Sequence, residues 1–285
     1  DQTQRMLIRM NNLGFVIYDI TTGTVTVNDR AFEYILAKSA KTDYDNLIFE
    51  SVVKNQSNAE LSLLDNALTV YGVKRVTLSD TQQVFLHPLG QTVTIFKNRD
   101  FICGGVLEAG KTQYFTRTVK FSYDEFKIDM ASIDSMRFGG RKLKENDRGN
   151  RVFRRKSNGR YNYGLVKNVL EDLRGTVYID YAYNKSGLKK DSFPDYPKFT
   201  ADNKSYVYYD QYRIQRGVYD RDRFHFQVYE FTLDSLNTFD ERSFDLPGMF
   251  TSGIFPDFEE SLTIMEDHSL GFQRKSPEAG FPMYG

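Results

Sequence analysis

The stretch that decides the fold is "KNRDFICGGVLEAGKTQYF", residues 97–115. It contains the only cysteine of the chain, Cys103, next to Gly104 and Gly105, and apolar side chains surround these small residues. Glycine within a strand pattern marks places where another backbone approaches closely or the chain bends. A small thiol in such a setting packs as a hydrophobic residue. The stretch therefore predicts tightly packed strands, and its cysteine is expected to be buried and unreactive.

Short alternating segments separated by Asn, Asp, Gly and Lys continue the pattern from Ala59 to Met130. They recur about every eight to twelve residues, which is typical of all-β proteins. A sandwich has this spacing, and so has a solenoid whose coils stack and bury an inward row of apolar side chains. The sequence predicts a mostly β fold of short stacked strands, either β-solenoid (β-helix-like) or sandwich, with one or two short helices.

Several individual elements follow from the apolar spacing. Strands are predicted near the start of the chain at "MLIRM" (6–10), "GFVIYDI" (14–20) and "TVTVND" (24–29). Residues 30–41 fit a helix and a strand equally well. Residues 165–173 carry apolar side chains at helical spacing, and Gly175 is placed to end that helix.

A change of composition predicts the domain boundaries. Residues 139–160 are rich in Lys, Arg, Gly and Asn and contain few apolar side chains. Such a segment is typical of a mobile loop or an inter-domain linker. The sequence thus predicts a β-rich repetitive domain at 1–138, a basic loop or linker at 139–160, and a second β-rich region with one short helix at 161–285.

Overall composition excludes several classes of protein. Aromatic residues make up 15% of the 285 residues, which excludes a disordered chain. Thirty-eight Lys and Arg balance thirty-eight Asp and Glu, so no global attraction to nucleic acid is expected. One cysteine cannot form an internal disulfide, and no apolar run reaches the roughly 18 residues that span a bilayer.

Side chains that could perform chemistry are scattered along the sequence. A nucleophilic Cys103 would need a histidine base; His87 lies sixteen residues earlier, and His225 and His268 are remote. None of the three histidines has the spacing of a zinc site.

Two carboxylate pairs and one glycine-rich stretch resemble parts of ligand-binding motifs but lack the residues that complete them. "DYDN" (43–46) and "DRDR" (220–223) lack the glycine and distal glutamate of a calcium loop and are interpreted as turns. "GGVLEAG" (104–110) lacks the ending of a phosphate-binding loop. No catalytic, cofactor-binding or metal-binding residue, and no cofactor, is predicted.

The tyrosines of "YVYYDQY" (206–212) form the one candidate ligand platform, with Tyr206, Tyr208 and Tyr212 as its members. On a strand, Tyr206 and Tyr208 share one face while Val207 and Tyr209 share the other. We expect Val207 and Tyr209 to point inward, and Tyr206 and Tyr208 to lie flat against neighbouring strands, where no ligand reaches them. The alternative is an exposed platform for sugar rings.

Long phrases of the sequence resemble very large, functionally uncharacterised envelope proteins of the Bacteroidota. The resemblance covers most of the chain and is carried by "DYDNLIFESV", "NAELSLLDNALTVYGVKRVTLSD", "KNRDF", "DEFKIDMASIDSMRF", "LEDLRGTVYIDYAYNKSG", "SYVYYD", "GVYDRDRFHFQV", "FTSGIFPDFEESLTI" and "HSLGFQRKSPEAGFPMYG". It implies an exported segment of a much longer chain, located in the periplasm, outer membrane or cell surface. It implies no catalytic residues.

Two short motifs are similar to the O-glycosylation acceptor of exported Bacteroidota proteins, Asp-Ser/Thr followed by an apolar residue. They are "DSM" (134–136) and "DSL" (234–236), which make Ser135 and Ser235 candidate O-glycan acceptors. The chain also begins at Asp1 rather than methionine, as expected of a processed protein or a fragment.

Two functional hypotheses remain at this point. The first is a non-enzymatic structural or assembly segment of a large exported cell-envelope protein, with the rest of its own chain and other envelope proteins as partners. The second is a carbohydrate-binding or carbohydrate-cleaving β-helix protein, with glycans as partners. Neither involves nucleic acid or a membrane-spanning segment of this chain.

Overall fold

The computed structural model describes residues 2–39, 43, 45, 47–54, 57–148, 150–210 and 218–284. Two α-helices occur in these residues, Gln2–Asn12 (α1) and Asp29–Lys38 (α2). The strands are Val16–Asp19 (β1), Thr24–Val27 (β2), Ile48–Ser51 (β3), Ala59–Leu61 (β4), Leu68–Tyr71 (β5), Val73–Ser79 (β6), Val84–Pro88 (β7), Thr92–Ile95 (β8), Phe101–Ala109 (β9), Thr112–Ser122 (β10), Lys127–Ile133 (β11), Ser135–Arg141 (β12), Leu143–Glu145 (β13), Arg151–Phe153 (β14), Tyr163–Leu165 (β15), Leu173–Tyr178 (β16), Lys198–Ala201 (β17), Ser205–Tyr208 (β18), His225–Val228 (β19), Thr232–Leu233 (β20), Leu246–Thr251 (β21), Phe258–Ile264 (β22) and Leu270–Gly271 (β23).

These strands confirm the mostly β fold class, in a sandwich-like arrangement. One fourteen-stranded antiparallel sheet has the order β20-β17-β16-β11-β10-β9-β7-β6-β3, with branches through β12–β15 and β4–β5–β8. A second sheet of five strands has the order β18-β19-β21-β22-β23. Two further hairpins, β1–β2 and β13–β14, stand apart from both sheets.

The centre of the large sheet is a meander of long bent strands formed by β9, β10 and the run β11–β12. The register between β9 and β10 shifts, because Gly105 pairs with Thr116 whereas Cys103 pairs with Val119. Two residues of β10 therefore oppose the single Gly104, which is a β-bulge and bends both strands. Beyond the bend the two halves of β9 pair with different strands, β8 near its start and β7 near its end.

The two glycines at the bend have the steric role that the sequence of residues 97–115 predicts. A Cβ on Gly104 would lie 2.3 Å from the carbonyl oxygen of Arg117 on β10. A Cβ on Gly105 would lie 2.2 Å from the carbonyl oxygen of His87 on β7. Only residues without a side chain fit where both neighbouring backbones come this close.

A single cluster of buried apolar side chains extends from Val73 to Leu270 and joins both halves of the chain. A buried polar network crosses between them as well. The Gln82 side chain donates a 2.8 Å hydrogen bond to Asp180, and Asn237 donates one of 3.1 Å to Gln82. Because these groups are buried, their mutual hydrogen bonds replace those lost from water.

The predicted division of the chain does not coincide with a break in the structure. Strand β12 runs through the boundary at 138/139 and pairs with β10 on one side and β15 on the other. Residues 139–160 contain the hairpin β13–β14 instead of a structureless linker between 1–138 and 161–285. Residues 154–160, which follow β14, are exposed, and the Lys156 backbone donates a hydrogen bond to the Arg160 carbonyl in a second turn there.

Two predicted elements are wrong. Residues 6–10 belong to helix α1 instead of a strand. The helix predicted at 165–173 is absent, and strands β15 and β16 flank an extended segment in which Leu170 bridges to Met136. Pairing with neighbouring strands overrides the helical spacing there, because the same short apolar run fits either structure. Residues 30–41 fitted a helix and a strand equally well, and in the structure the helix α2 forms at Asp29–Lys38.

We predict that Gly104→Ala lowers the free energy of unfolding by about 1–3 kcal/mol, the usual cost of forcing atoms into a packed site. Gly139→Ala is the matched control, because its Cβ would lie 3.4 Å from the nearest atom, an ordinary contact. Urea denaturation of both variants measures the difference. Equal stability of the two variants would contradict this prediction, because it would show that the backbones at the bend move apart to admit a side chain at no cost.

Candidate functional site

The tyrosine stack is the group formed by Tyr206, Tyr208, His225 and Arg221, at the start of the five-stranded sheet. Val207 between the two tyrosines is fully buried, and Tyr209 packs against the core, so both point inward as predicted. Burial raises the pKa of Tyr209 to about 12. Strand alternation therefore leaves Tyr206 and Tyr208 on the outer face, each partly buried. Tyr212 lies outside the described residues.

The rings of the tyrosine stack cover one another. Tyr206 and Tyr208 are stacked with centroids 5.6 Å apart and planes 8° from parallel, so they do not lie flat on neighbouring strands. The Arg221 guanidinium lies 4.0 Å from the centre of the Tyr208 ring. The edge of His225 meets both rings at 5.6 and 6.3 Å. A sugar ring needs a free aromatic face, and Tyr208 is covered by Tyr206 and Arg221.

The polar groups around the stack are also engaged. The Tyr208 hydroxyl donates a 2.9 Å hydrogen bond to Asp172, and Gln227 donates one of 2.7 Å to the Tyr206 hydroxyl. Arg221 forms ion pairs with Asp210 and Glu171 at 2.8 and 3.4 Å. Burial raises the pKa of Tyr208, and the hydrogen bond to Asp172 raises it further. This network holds the tyrosine stack against the sheet edge.

Cys103, expected to be buried, is only partly buried, and its surroundings do not activate it as a nucleophile. It lies on β9 and packs against the core. Burial raises the pKa of its thiol to about 12, so the reactive thiolate is scarce at neutral pH. His87 lies opposite Val106 on β7, and its Nε2 lies 3.6 Å from a carboxylate oxygen of Glu108.

A cleft of about 750 Å³ lies between α2 and the large sheet, with Phe49 in its wall. Three of its polar groups, Arg99, Tyr123 and Asp45, form one hydrogen-bonded chain. Arg99 donates a 2.7 Å hydrogen bond to the Tyr123 hydroxyl, which in turn donates a short hydrogen bond to Asp45. Burial, assisted by Asp45, raises the pKa of Tyr123 to about 12, which keeps this hydroxyl protonated. The cleft is therefore interpreted as a structural junction.

Glu241 is a fully buried carboxylate that the sequence did not single out. It accepts hydrogen bonds from the Arg141 guanidinium at 2.8 and 3.1 Å, from the Arg141 backbone at 2.9 Å and from Lys111 at 3.0 Å. Gly140 provides the room, because a Cβ there would lie 2.6 Å from a Glu241 oxygen. Burial alone would raise the pKa of Glu241, but the hydrogen bonds from Arg141 outweigh it and lower the pKa.

The remaining predicted positions have local roles. Asp220 accepts a hydrogen bond from the backbone of Asp222, which confirms a turn at 220–223. Of residues 43–46, only Asp43 and Asp45 are described. Ser135 begins β12 opposite Phe115. The Ser235 hydroxyl donates a 2.7 Å hydrogen bond to a backbone carbonyl, that of Pro194. Their glycosylation stays a prediction.

Searches for known sites and relatives find no match. Within the described residues, no group of three His, Cys, Asp or Glu side chains is arranged to hold a metal ion. Neither described helix combines the length and apolar character needed to cross a bilayer. No protein-family model, curated protein or solved structure matches the chain.

The N-terminal segment, residues 2–38, has the most unusual surface of the molecule. It consists of α1, the hairpin β1–β2 and α2, and Val16 is its only buried apolar residue among those described. Ten large apolar side chains are exposed instead: Met6, Ile8, Leu13, Ile17, Ile20, Val25, Val27, Phe32, Ile35 and Leu36. In the sequence these residues have the pattern of ordinary apolar strand and helix positions, which does not reveal that their side chains are exposed.

We predict that Glu241→Gln lowers the free energy of unfolding by about 2–3 kcal/mol at neutral pH, because Arg141 and Lys111 lose a buried charged partner. The pKa of Glu241 is lowered by folding, so the stabilisation exists above the ordinary value of 4.5 and fades as pH falls through and below it. Thermal unfolding at pH 7 and near pH 3 measures both effects. Asp134→Asn, in an exposed ion pair with Arg117, is the control and should change little.

For the tyrosine stack we predict that Tyr208→Ala costs about 1–3 kcal/mol of stability, because it removes ring stacking and the contact with Arg221. Tyr208→Phe keeps the stack and should cost less than about 1 kcal/mol. Chemical denaturation distinguishes the two variants. A Tyr208→Ala protein of unchanged stability that had lost retention on a glycan array would identify the stack as a sugar platform.

Proposed function

We propose that this protein is a non-enzymatic assembly module of an exported cell-envelope protein, and that its N-terminal segment docks onto another folded polypeptide. The observation that carries the proposal is the exposed apolar surface of residues 2–38. The export and envelope location are supported by the sequence resemblance to large Bacteroidota proteins. The covered ring of Tyr208 argues against the alternative, a glycan-binding platform.

The N-terminal segment holds its shape with very little core. Phe15 and Tyr34 pack with ring centroids 5.1 Å apart, and Arg30 lies over the Phe15 ring. The Asn11 side chain accepts a hydrogen bond from the Tyr18 backbone. These contacts fix the elements relative to each other, but a two-stranded hairpin with one buried side chain is only marginally stable in water. An external apolar surface would supply the missing burial.

The chemistry of this surface favours a protein over a lipid membrane. Exposed apolar patches of this kind on a soluble fold mark interaction sites. Anchoring to an anionic membrane usually needs a strongly basic surface beside the apolar one. Residues 2–38 contain four cationic and three anionic side chains, so the segment carries almost no net charge. A complementary apolar surface on another polypeptide fits this composition better.

Photo-cross-linking in the cells that make the protein tests the proposal. Phe32 and Ile35 lie one turn apart on α2 and are 57% and 62% exposed. A benzoyl-phenylalanine in place of Phe32 should give one discrete protein adduct, and adding Ile35→Asp should abolish it. Because both side chains are exposed, the melting temperature should not change.

The matched control replaces Lys120, an exposed residue of β10, with the same photoreactive group. It should give no discrete adduct. Failure of position 32 to cross-link, or equal adducts from positions 32 and 120, would contradict docking through the N-terminal segment. The mass of the adduct identifies the partner as a second copy or as a different chain.

A further inference from the structure

The segment predicted as a linker is the most strongly charged surface of the molecule. Residues 139–160, here called the basic hairpin, contain nine Lys and Arg but only two Asp and Glu. The chain as a whole has equal numbers of both. A neutral protein that concentrates so many cations in one short hairpin carries a localised positive field, which attracts anionic partners.

The two strands of the basic hairpin are paired, which fixes the backbone positions from which several of its cations extend. Leu143 pairs with Phe153 across β13 and β14 and is fully buried. Beyond the strands, the Lys156 backbone donates a hydrogen bond to Arg160, and Arg155 bridges to Tyr161. A preorganised set of charges loses less conformational entropy on binding than a flexible tail.

Three arginines of the hairpin are used for its own structure. Arg141 is bound by buried Glu241, Arg151 donates a 2.8 Å hydrogen bond to Thr263, and Arg155 donates to Gly159 and Tyr161. The other six cations form no ion pair with any described carboxylate: Lys142, Lys144, Arg148, Arg154, Lys156 and Arg160. Within the part of the chain that the structure describes, these six charges therefore have no carboxylate partner and face an external anion without competition from one.

The aromatic rings beside the hairpin argue against nucleic acid. Single-stranded nucleic acid binds by stacking its bases on free aromatic faces. Phe153 is covered by the guanidinium groups of Arg141 at 3.6 Å and Arg242 at 4.7 Å. Tyr161 lies under Arg155 at 4.3 Å. Neither ring is open to a base.

The apolar residues of the hairpin argue against a lipid surface. Membrane-associated segments expose large apolar side chains for insertion beside their charges. Leu143 is buried, and Val152 and Phe153 are each partly buried. Among the described residues of 139–160, the hairpin thus presents cations without a free aromatic ring for a base to stack on and without large exposed apolar side chains to insert.

We propose that the basic hairpin binds an anionic polysaccharide, through the carboxylate, sulfate or phosphate groups along its sugar chain. Arginine and lysine at several fixed positions match charges repeated along a polymer, and arginine binds carboxylate and phosphate groups in a bidentate manner. This site is separate from the N-terminal segment, so it can stand if the docking function fails.

Fluorescence anisotropy with labelled polymers and the full chain tests the site. Polygalacturonate carries carboxylates and dextran sulfate carries sulfates, while uncharged dextran is the negative probe. The triple variant Lys144→Gln/Arg154→Gln/Lys156→Gln should weaken binding of the charged polymers by about tenfold or more, since each lost contact removes part of the affinity. Increasing salt should weaken the wild type more than the variant.

The matched control removes the same charge elsewhere. Lys74→Gln/Lys97→Gln/Lys120→Gln replaces three exposed lysines that form no ion pair among the described residues, and it should bind the charged polymers within about twofold of wild type. The proposal is overturned if neither charged polymer binds, or if both triple variants weaken binding equally. Tighter hairpin-dependent binding of single-stranded DNA or of anionic phosphatidylglycerol vesicles would also overturn it, in favour of those ligands.

Discussion

The close approach of three backbones at Gly104 and Gly105 is the constraint on which the rest of this structure depends. It allows β9 to lie between β7 and β10 with a bulge opposite Gly104. On either side of the bend, the two halves of the meander pair with different sets of strands. Beside this bend Phe101 of β9 and Phe121 of β10 are buried and stack with ring centroids 4.7 Å apart.

Strand periodicity predicted much of this architecture, because alternation directly reports which face of a strand is buried. It placed Val207 and Tyr209 on one face and Tyr206 and Tyr208 on the other, and the expectation that the first face is the inner one is confirmed. It was wrong for residues 6–10 and 165–173, where short apolar runs fit a helix and a strand alike. At 6–10 the helix forms beside a hairpin, and at 165–173 the pairing of Leu170 with Met136 decides for the extended chain.

The candidate surfaces were harder to predict, because they depend on contacts distant in sequence. The segment 139–160 has the composition of a linker, and nothing local reveals that Arg141 binds Glu241, one hundred residues later. Stacking of arginines on Phe153 and Tyr161 is equally invisible in the sequence. The N-terminal segment presents the converse case, since its apolar pattern predicts burial while ten of its large apolar side chains are exposed in the structure.

The pairing of β11–β12 with β15 and β16 has a consequence for how the chain folds during synthesis. Ribosomes release the N-terminal part first, and domains generally fold as units when their residues have emerged. Until residues 163–178 appear, β11 and β12 form the open edge of a partly built sheet. Open edges pair with other chains. The basic side chains that follow β12 would keep nascent chains apart by mutual repulsion during this interval, as charged gatekeepers beside a strand do.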